Sequence, residues 1–273
     1  MKYLKTFSLS TQKYHHTHIY PYNVFEYKDI VPFIFNSITV FYGNNGSGKS
    51  TILNLIAQKL HIKGQEMPIV NTYGNKNYCE QFLNECRYTF DSDDYGHIIK
   101  QIPKQSLYLK SEDILYEIKK IQQVSILQES YETEMIKKGM TLKQAQMEIN
   151  SKKALTQLEC AIFAQEKYSN GETAMQFFEE VLIPGGLYLL DEPEVSLSPQ
   201  NQVQLAKTIN ELARFLDCQF IIATHSPFML GVLDAKIYNI DNLDMREQKW
   251  TELPNVRYFY QFFKERDEEF HNK

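Results

Sequence analysis

Residues 41–51 read FYGNNGSGKST, and within them Gly43–Ser50 fits G-x-x-x-x-G-K-[ST]. An apolar run, Ile38–Tyr42, leads into the loop, and STILNLIAQKL (50–60) leads out, with Ile52, Leu55, Ile56 and Leu60 at helical spacing. Strand, glycine-rich loop and helix in that order are the context in which such a loop holds a nucleoside triphosphate. Phosphate oxygens need many donors at close range. Gly43, Gly46 and Gly48 let the loop, with Asn44, Asn45 and Ser47, curl its N–H groups inward at the start of a helix whose dipole favours an anion. Lys49 adds a point charge for the β- and γ-phosphates, Ser50 offers a hydroxyl to Mg²⁺, and Thr51 is placed for the α-phosphate.

Downstream, GLYLLDE (186–192) is a nearly all-apolar run ending in acids, which suits a buried parallel strand. A carboxylate ending such a strand is expensive without a partner, and Mg²⁺ would compensate Asp191. Glu192 follows, where a general base or a positioner of attacking water belongs. The stretch CQFIIATHS (218–226) is a second buried strand with His225 at its polar tip, within range of a γ-phosphate; AKIYNID (235–241) is a third. The amphipathic PQNQVQLAKTINELARFL (199–216) lies between the first two. Strands alternating with helices predict a doubly wound α/β fold, whose ligands bind beyond the carboxyl ends of the strands.

The chain has 273 residues, 43% of them hydrophobic, enough for a sizeable core, and a net charge of -5. An acidic surface does not attract polyanions as a whole, yet a local basic patch can act within it, so nucleic acid stays among the candidate partners. Four scattered cysteines form no C-x-x-C pair and read as buried thiols. The polar N-terminus lacks the apolar block of a signal peptide, and no run approaches the roughly 20 apolar residues that span a bilayer. A cytoplasmic protein without direct membrane insertion is expected.

Between 111 and 167 the chain turns helical and charge-rich. SEDILYEIKKI (111–121) sets Ile114, Ile118 and Ile121 on one side, and a second helix is expected over 141–166. The lysine pairs here (119–120, 137–138, 152–153) alternate with acids and read as a solvated face. YSNGETAMQFF (168–178) has two readings: a helix capped by Ser169 with Glu172 at the capping-box position, or a helix start offered as an anion site to another subunit. His15, His16 and His18 read as a polar turn in preference to a metal site, and Tyr20, Tyr22, Phe25 and Tyr27 as strand aromatics in preference to an adenine platform.

With these four motifs in order, the chain resembles the ABC-type ATPases: Walker A at 43–51, a signature loop at 169–172, Walker B at 186–192 and a switch histidine at 225. More narrowly it is similar to the small stand-alone bacterial AAA-family ATPases of the SMC-like and overcoming-lysogenisation-defect branch, which share GGLYLLDEPE, LSP and ATHSP. The resemblance implies a P-loop fold with a mixed sheet flanked by helices, one ATPase domain over 1–273, and a helical lobe at about 103–180 carrying the signature loop. It also implies ATP and Mg²⁺, and a head-to-tail homodimer. Each ATP would lie between Lys49, Ser50, Asp191, Glu192 and His225 of one subunit and Ser169 and Gly171 of the other, with EVSLSPQ (194–200) as the D-loop. The signature departs from the transporter form L-S-G-G-Q, and Ser198 replaces the usual aspartate. Gln101 and Gln105 are both candidates for the Q-loop. The work implied is an ATP-gated switch driving an unidentified effector, in nucleic-acid repair or phage defence. The rivals are a transporter's nucleotide-binding subunit and, behind it, a small-molecule kinase.

Overall fold

The computed structural model describes residues 2–14, 19–66, 72–73, 76–92, 95–114, 116, 171–195 and 197–271. The chain divides into two compact units, one made of Met1–Ser111 with Leu182–Lys273 and the other of Glu112–Val181.

Five parallel strands form the central sheet of the first unit: β3 (Ile38–Tyr42), β7 (Leu107–Lys110), β8 (Leu187–Asp191), β9 (Gln219–Ala223) and β10 (Lys236–Asn239), in the order β10-β3-β9-β8-β7. Every residue of β3, β8 and β9 is buried, as the unbroken apolar runs require of strands covered on both faces. Alternation along these strands divides them between two cores. Phe41, Leu187, Leu189 and Ile221 share a cluster with Ile52 and Ile56 of helix α1 (Lys49–Leu60). Val40, Tyr188, Leu190, Phe220 and Ile222, one residue out of phase, are buried as well.

The remaining strands pair antiparallel, in sheets of their own. Strands β1 (Leu4–Ser8), β2 (Phe33–Ile34) and β6 (Arg87–Phe90) form one in the order β2-β1-β6, and β4 (Thr72–Tyr73) pairs with β5 (Lys76–Asn77). Helix α2 (Tyr78–Glu85) precedes β6. Gln219, fully buried at the start of β9, ties the first of these sheets to the central one. Its Oε1 accepts from the N–H groups of Tyr3 and Leu4, both at 2.8 Å, and its Nε2 donates to the carbonyls of Leu4 (2.8 Å) and Asn36 (3.2 Å). One amide side chain thus satisfies four backbone groups, and its bonds to three of them are buried.

β7 falls inside the span expected to be a helical lobe, yet it is a strand: it pairs with β8 from Leu107↔Tyr188 to Lys110↔Asp191 and covers that strand's outer edge. In the second unit helix α3 (Gly171–Val181) is described, and the helix expected over 141–166 lies outside the described residues. Helix α4 (Pro199–Phe215) follows β8, with Ser198 capping Asn201 N–H, Pro199 in the first turn, and Leu205, Ala206, Ile209, Leu212 and Ala213 buried at helical spacing. Helices α5 (Pro227–Val232), α6 (Pro254–Glu265) and α7 (Asp267–His271) complete the first unit.

Replacing Gln219 by leucine leaves those backbone groups buried and unpaired. The unfolding free energy measured by denaturant titration should fall by about 2–4 kcal/mol, and a loss below about 0.5 kcal/mol would mean that water takes over the amide's role.

Candidate functional site

All five parallel strands stop in register. Lys110 pairs with Asp191, Asp191 with Ala223, Phe41 with Ala223, and Tyr42 with Asn239. The one or two residues beyond each strand end therefore fall along one edge of the sheet. They are the phosphate loop after β3, Ser111 after β7, Glu192 after β8, His225 after β9 and Asp241 after β10.

The loop from Gly43 to Gly48 has the backbone its glycines allow. Gly46 (φ 81°) and Gly48 (φ 101°) occupy the left-handed region. A Cβ on Gly48 would come within 2.7 Å of Val24 Cγ1, so the loop needs glycine there for both conformation and space. Asn44 donates its backbone N–H to Asp241 at 2.9 and 3.1 Å and its side-chain amide to the same carboxylate at 2.9 Å. Lys28 in turn donates to the carbonyls of Ile240, Asp241 and Asn242. Lys49, only 4% exposed, curls back to donate to the carbonyls of Gly43 (2.7 Å) and Asn44 (3.2 Å). Asn45, Gly46, Ser50, Thr51, Ser111 and Asp191 share one cleft with it.

Asp191 is buried, and burial pushes its carboxyl above the ordinary value of 3.8. The Ser50 hydroxyl opposes that shift, Glu192's charge adds to it, and Lys49 and Tyr108 oppose it; Tyr108 donates to Asp191 Oδ2 at 3.4 Å. Oδ1 is buried without a hydrogen-bond partner. An orphaned carboxylate oxygen with the Ser50 hydroxyl acting on the same group and a lysine nearby suits a hydrated Mg²⁺ held through one carboxylate plus phosphate oxygens. The residues therefore fit a magnesium–nucleotide complex. Among the described residues no group of three or more His, Cys, Asp or Glu could hold a metal by itself. His15, His16 and His18 lie outside the described residues.

Glu192 has φ 49°, a left-handed conformation that non-glycine residues adopt at a cost of about 1–2 kcal/mol. Its N–H donates to Ala223 O at 2.8 Å, which locks the turn, and its Oε1 stands 3.6 Å from Lys49 Nζ and 3.4 Å from His225 Nδ1. Lys49, Asp191, Glu192 and His225 thus meet at one place. Ser169 lies outside the described residues; Gly171 is the first residue of α3.

Neither Q-loop candidate reaches this edge. Gln105 precedes β7 and donates to the carbonyls of Pro184 and Gly185 ahead of β8, at the amino end of the strands, and Gln101 lies further upstream in an exposed loop. The residue that follows β7 into the cleft is Ser111. Of the aromatics weighed as an adenine platform, Tyr22 and Phe25 are buried against Phe82 and belong to the core. Sequence reasoning missed Asp241, Tyr108 and Glu194. Asp241 had a signal like that of Asp191, an acid closing an apolar run.

A phosphate loop, a strand-end aspartate and a following glutamate on a parallel sheet define a P-loop nucleotide-binding domain. A family model described as ABC transporter matches residues 35–195, more than half of the chain, and a second, described as AAA ATPase domain, matches 171–230. The chain belongs to the ABC family and is an ATPase domain of that type. Among solved structures it is similar to the Smc head domain with an extended coiled coil bound to the C-terminal domain of ScpA, from Pyrococcus furiosus (14% identity, 97% of this chain and 99% of that one, TM-score 0.46). It is also similar to an ATP-binding cassette of an ABC transporter in its ADP conformation (16%, 96% and 99%, 0.45), and to cbiO1 from Clostridium perfringens (15%, 97% and 96%, 0.43). No match was found among curated protein sequences. No helix of the described residues is long and apolar enough to cross a membrane.

Two outcomes follow from this geometry. Because Asp191 titrates higher when folded, its stabilising contribution is complete below its ordinary value of 3.8 and is lost as pH rises through the folded-state value. Without divalent cations, Asp191→Asn should therefore gain stability relative to wild type as pH rises from 4 to 7; a pH-independent difference would refute the desolvated carboxylate. Glu192→Asn, which tolerates φ above zero, should raise unfolding stability by about 0.5–1 kcal/mol in thermal or chemical denaturation.

Proposed function

We propose that this domain hydrolyses ATP to ADP and phosphate as an ATP-gated head-to-tail dimer that drives a partner protein. The reading rests on one observation, the convergence of Lys49, Asp191, Glu192 and His225 beyond the carboxyl ends of adjoining parallel strands. Backbone N–H groups of 43–48 and the Lys49 ammonium hold the β- and γ-phosphates, which Lys49 reaches by leaving the carbonyls of Gly43 and Asn44. Ser50 and Asp191 would hold Mg²⁺, which would supply charge neutralisation at the phosphate oxygens. Glu192 accepts the proton of a water whose oxygen bonds to the γ-phosphorus as the bond to the β–γ bridging oxygen breaks. His225 bonds the γ-phosphate through the edge of its ring remote from Glu192. Ser169 and Gly171 of the partner subunit close the site over the nucleotide.

The resemblance of the motifs to those of SMC-like ATPases favours an effector in nucleic-acid repair or phage defence, in the cytoplasm. The transporter reading is the one alternative with an observation behind it, since the matching family model carries that description. It requires a membrane-embedded partner to co-purify with the ATPase.

The test is ATP turnover against protein concentration for wild type and Glu192→Gln, with molar mass by light scattering with and without ATP. Turnover should rise faster than linearly. The variant should lose about 10²–10⁴-fold in rate and accumulate as a dimer with ATP. Monomers throughout, with specific activity independent of concentration, would remove the composite site.

A further inference from the structure

Glu194 is used by none of the steps above, yet it is 6% exposed, and burial pushes its carboxyl above the ordinary range. A carboxylate is rarely withdrawn from water without partners. Its Oε1 accepts from Thr224 Oγ1 at 2.6 Å and from His225 N–H at 3.1 Å, and stands 3.7 Å from His225 Nδ1. Thr224 Oγ1 accepts in turn from Ser226 N–H at 3.0 Å. Its hydrogen bonds to other residues fall on Thr224 and His225, in the loop that carries the switch histidine. Its Oε2 and the His225 Nδ1 are both buried without a hydrogen-bond partner, although the histidine side chain as a whole is 43% exposed.

The ring therefore presents Nδ1 inward to two carboxylates, Glu192 at 3.4 Å and Glu194 at 3.7 Å, with Lys49 beyond Glu192. A ring nitrogen facing two carboxylates is an N–H, and Nε2 donates to a phosphate oxygen only when it bears a proton as well. Two carboxylates on one side and a phosphate on the other are therefore satisfied together by the doubly protonated ring. We propose that Glu194 is a positioning residue that holds His225 with Nδ1 inward and Nε2 free for the γ-phosphate. Glu192 cannot perform this duty through a catalytic cycle, because the same carboxylate must turn to the attacking water. Glu194, fixed by Thr224 and the His225 backbone, remains in place while Glu192 moves. The inference rests on the reading of His225 as the γ-phosphate sensor.

Its test is nucleotide discrimination, read as the ratio of the Kd for Mg–ADP to that for a magnesium-bound, non-hydrolysable β–γ imido analogue of ATP. Both are measured by displacement of a fluorescent nucleotide. His225→Ala should lower that ratio. Glu194→Gln keeps an oxygen for Thr224 and the His225 N–H but removes the charge facing Nδ1, and should lower the ratio about fivefold. In the His225→Ala background it should have no further effect. Thr224→Val, which frees Glu194 from its anchor, should shift the ratio in the same direction and keeps the question decidable if the glutamine variant does not fold. A purely structural role would weaken both nucleotides equally or act multiplicatively with His225→Ala, and either result overturns the proposal. If His225→Ala itself leaves the ratio unchanged, the sensor reading falls and this inference with it. If His225→Ala lowers it and both other variants do not, this inference alone falls.

Discussion

The in-register ending of the parallel strands is the constraint on which the site depends. Parallel pairing aligns Lys110, Asp191, Ala223 and Asn239 with their neighbours at one edge of the sheet. The chain must leave each strand there, because buried backbone cannot continue unpaired. Polar residues that would be intolerable one position earlier become available at that edge. A slip of one residue at β8 would reverse which side chains face each core and carry Asp191 away from Ser50. The apolar runs that keep this register, LYLL in β8 and FII in β9, are as much a part of the site as the carboxylates.

The same logic explains what could be read from the amino acids alone. Strand-ending acids and a glycine-rich loop have local signatures, so the phosphate loop, Asp191 and Glu192 stood out individually, whereas His225 stood out only by its place after the acid-ended strand and one helix. The α/β class followed from the alternation of buried strands with amphipathic helices. Long-range pairings left no such trace. Gln219 reads as an ordinary polar residue starting an apolar strand, and only the fold reveals that residues 3, 4 and 36 need its amide. Asp241 lies almost 200 positions from the Asn44 it holds. Gln101 and Gln105 could not be told apart by residue type, because position relative to the carboxyl end of β7 decides what enters the cleft, and there the residue is Ser111.

Stability and chemistry conflict at the end of β8. A left-handed Glu192, a desolvated Asp191 and a buried Glu194 follow one another within four positions, each unfavourable for the isolated fold. The surroundings overdetermine the segment: Glu192 N–H is bonded to Ala223 O, Val195 N–H to Glu192 O, and Leu197 N–H to Glu194 O. Successive tight turns of this kind reverse the chain so that two glutamates separated by a single proline approach the same histidine nitrogen.

That doubling separates orientation from reaction. Glu192 lies on the lysine side and is one-quarter exposed, free to move toward water, whereas Glu194 is enclosed and tied to Thr224. A single carboxylate asked both to take a proton and to hold the histidine would release one task each time it performed the other. The hydrogen-bonded path continues outward from this pair: Ser226 donates to Gln202 Oε1 at 2.6 Å, and Gln202 Nε2 donates to Leu197 O at 2.9 Å. The histidine loop and the segment after Walker B are therefore joined at two points, Glu194 against Thr224 and the His225 backbone, and Gln202 on α4. A displacement of residues 195–198 by another subunit would reach His225 through both, and loss of either link would leave the other to hold the loop.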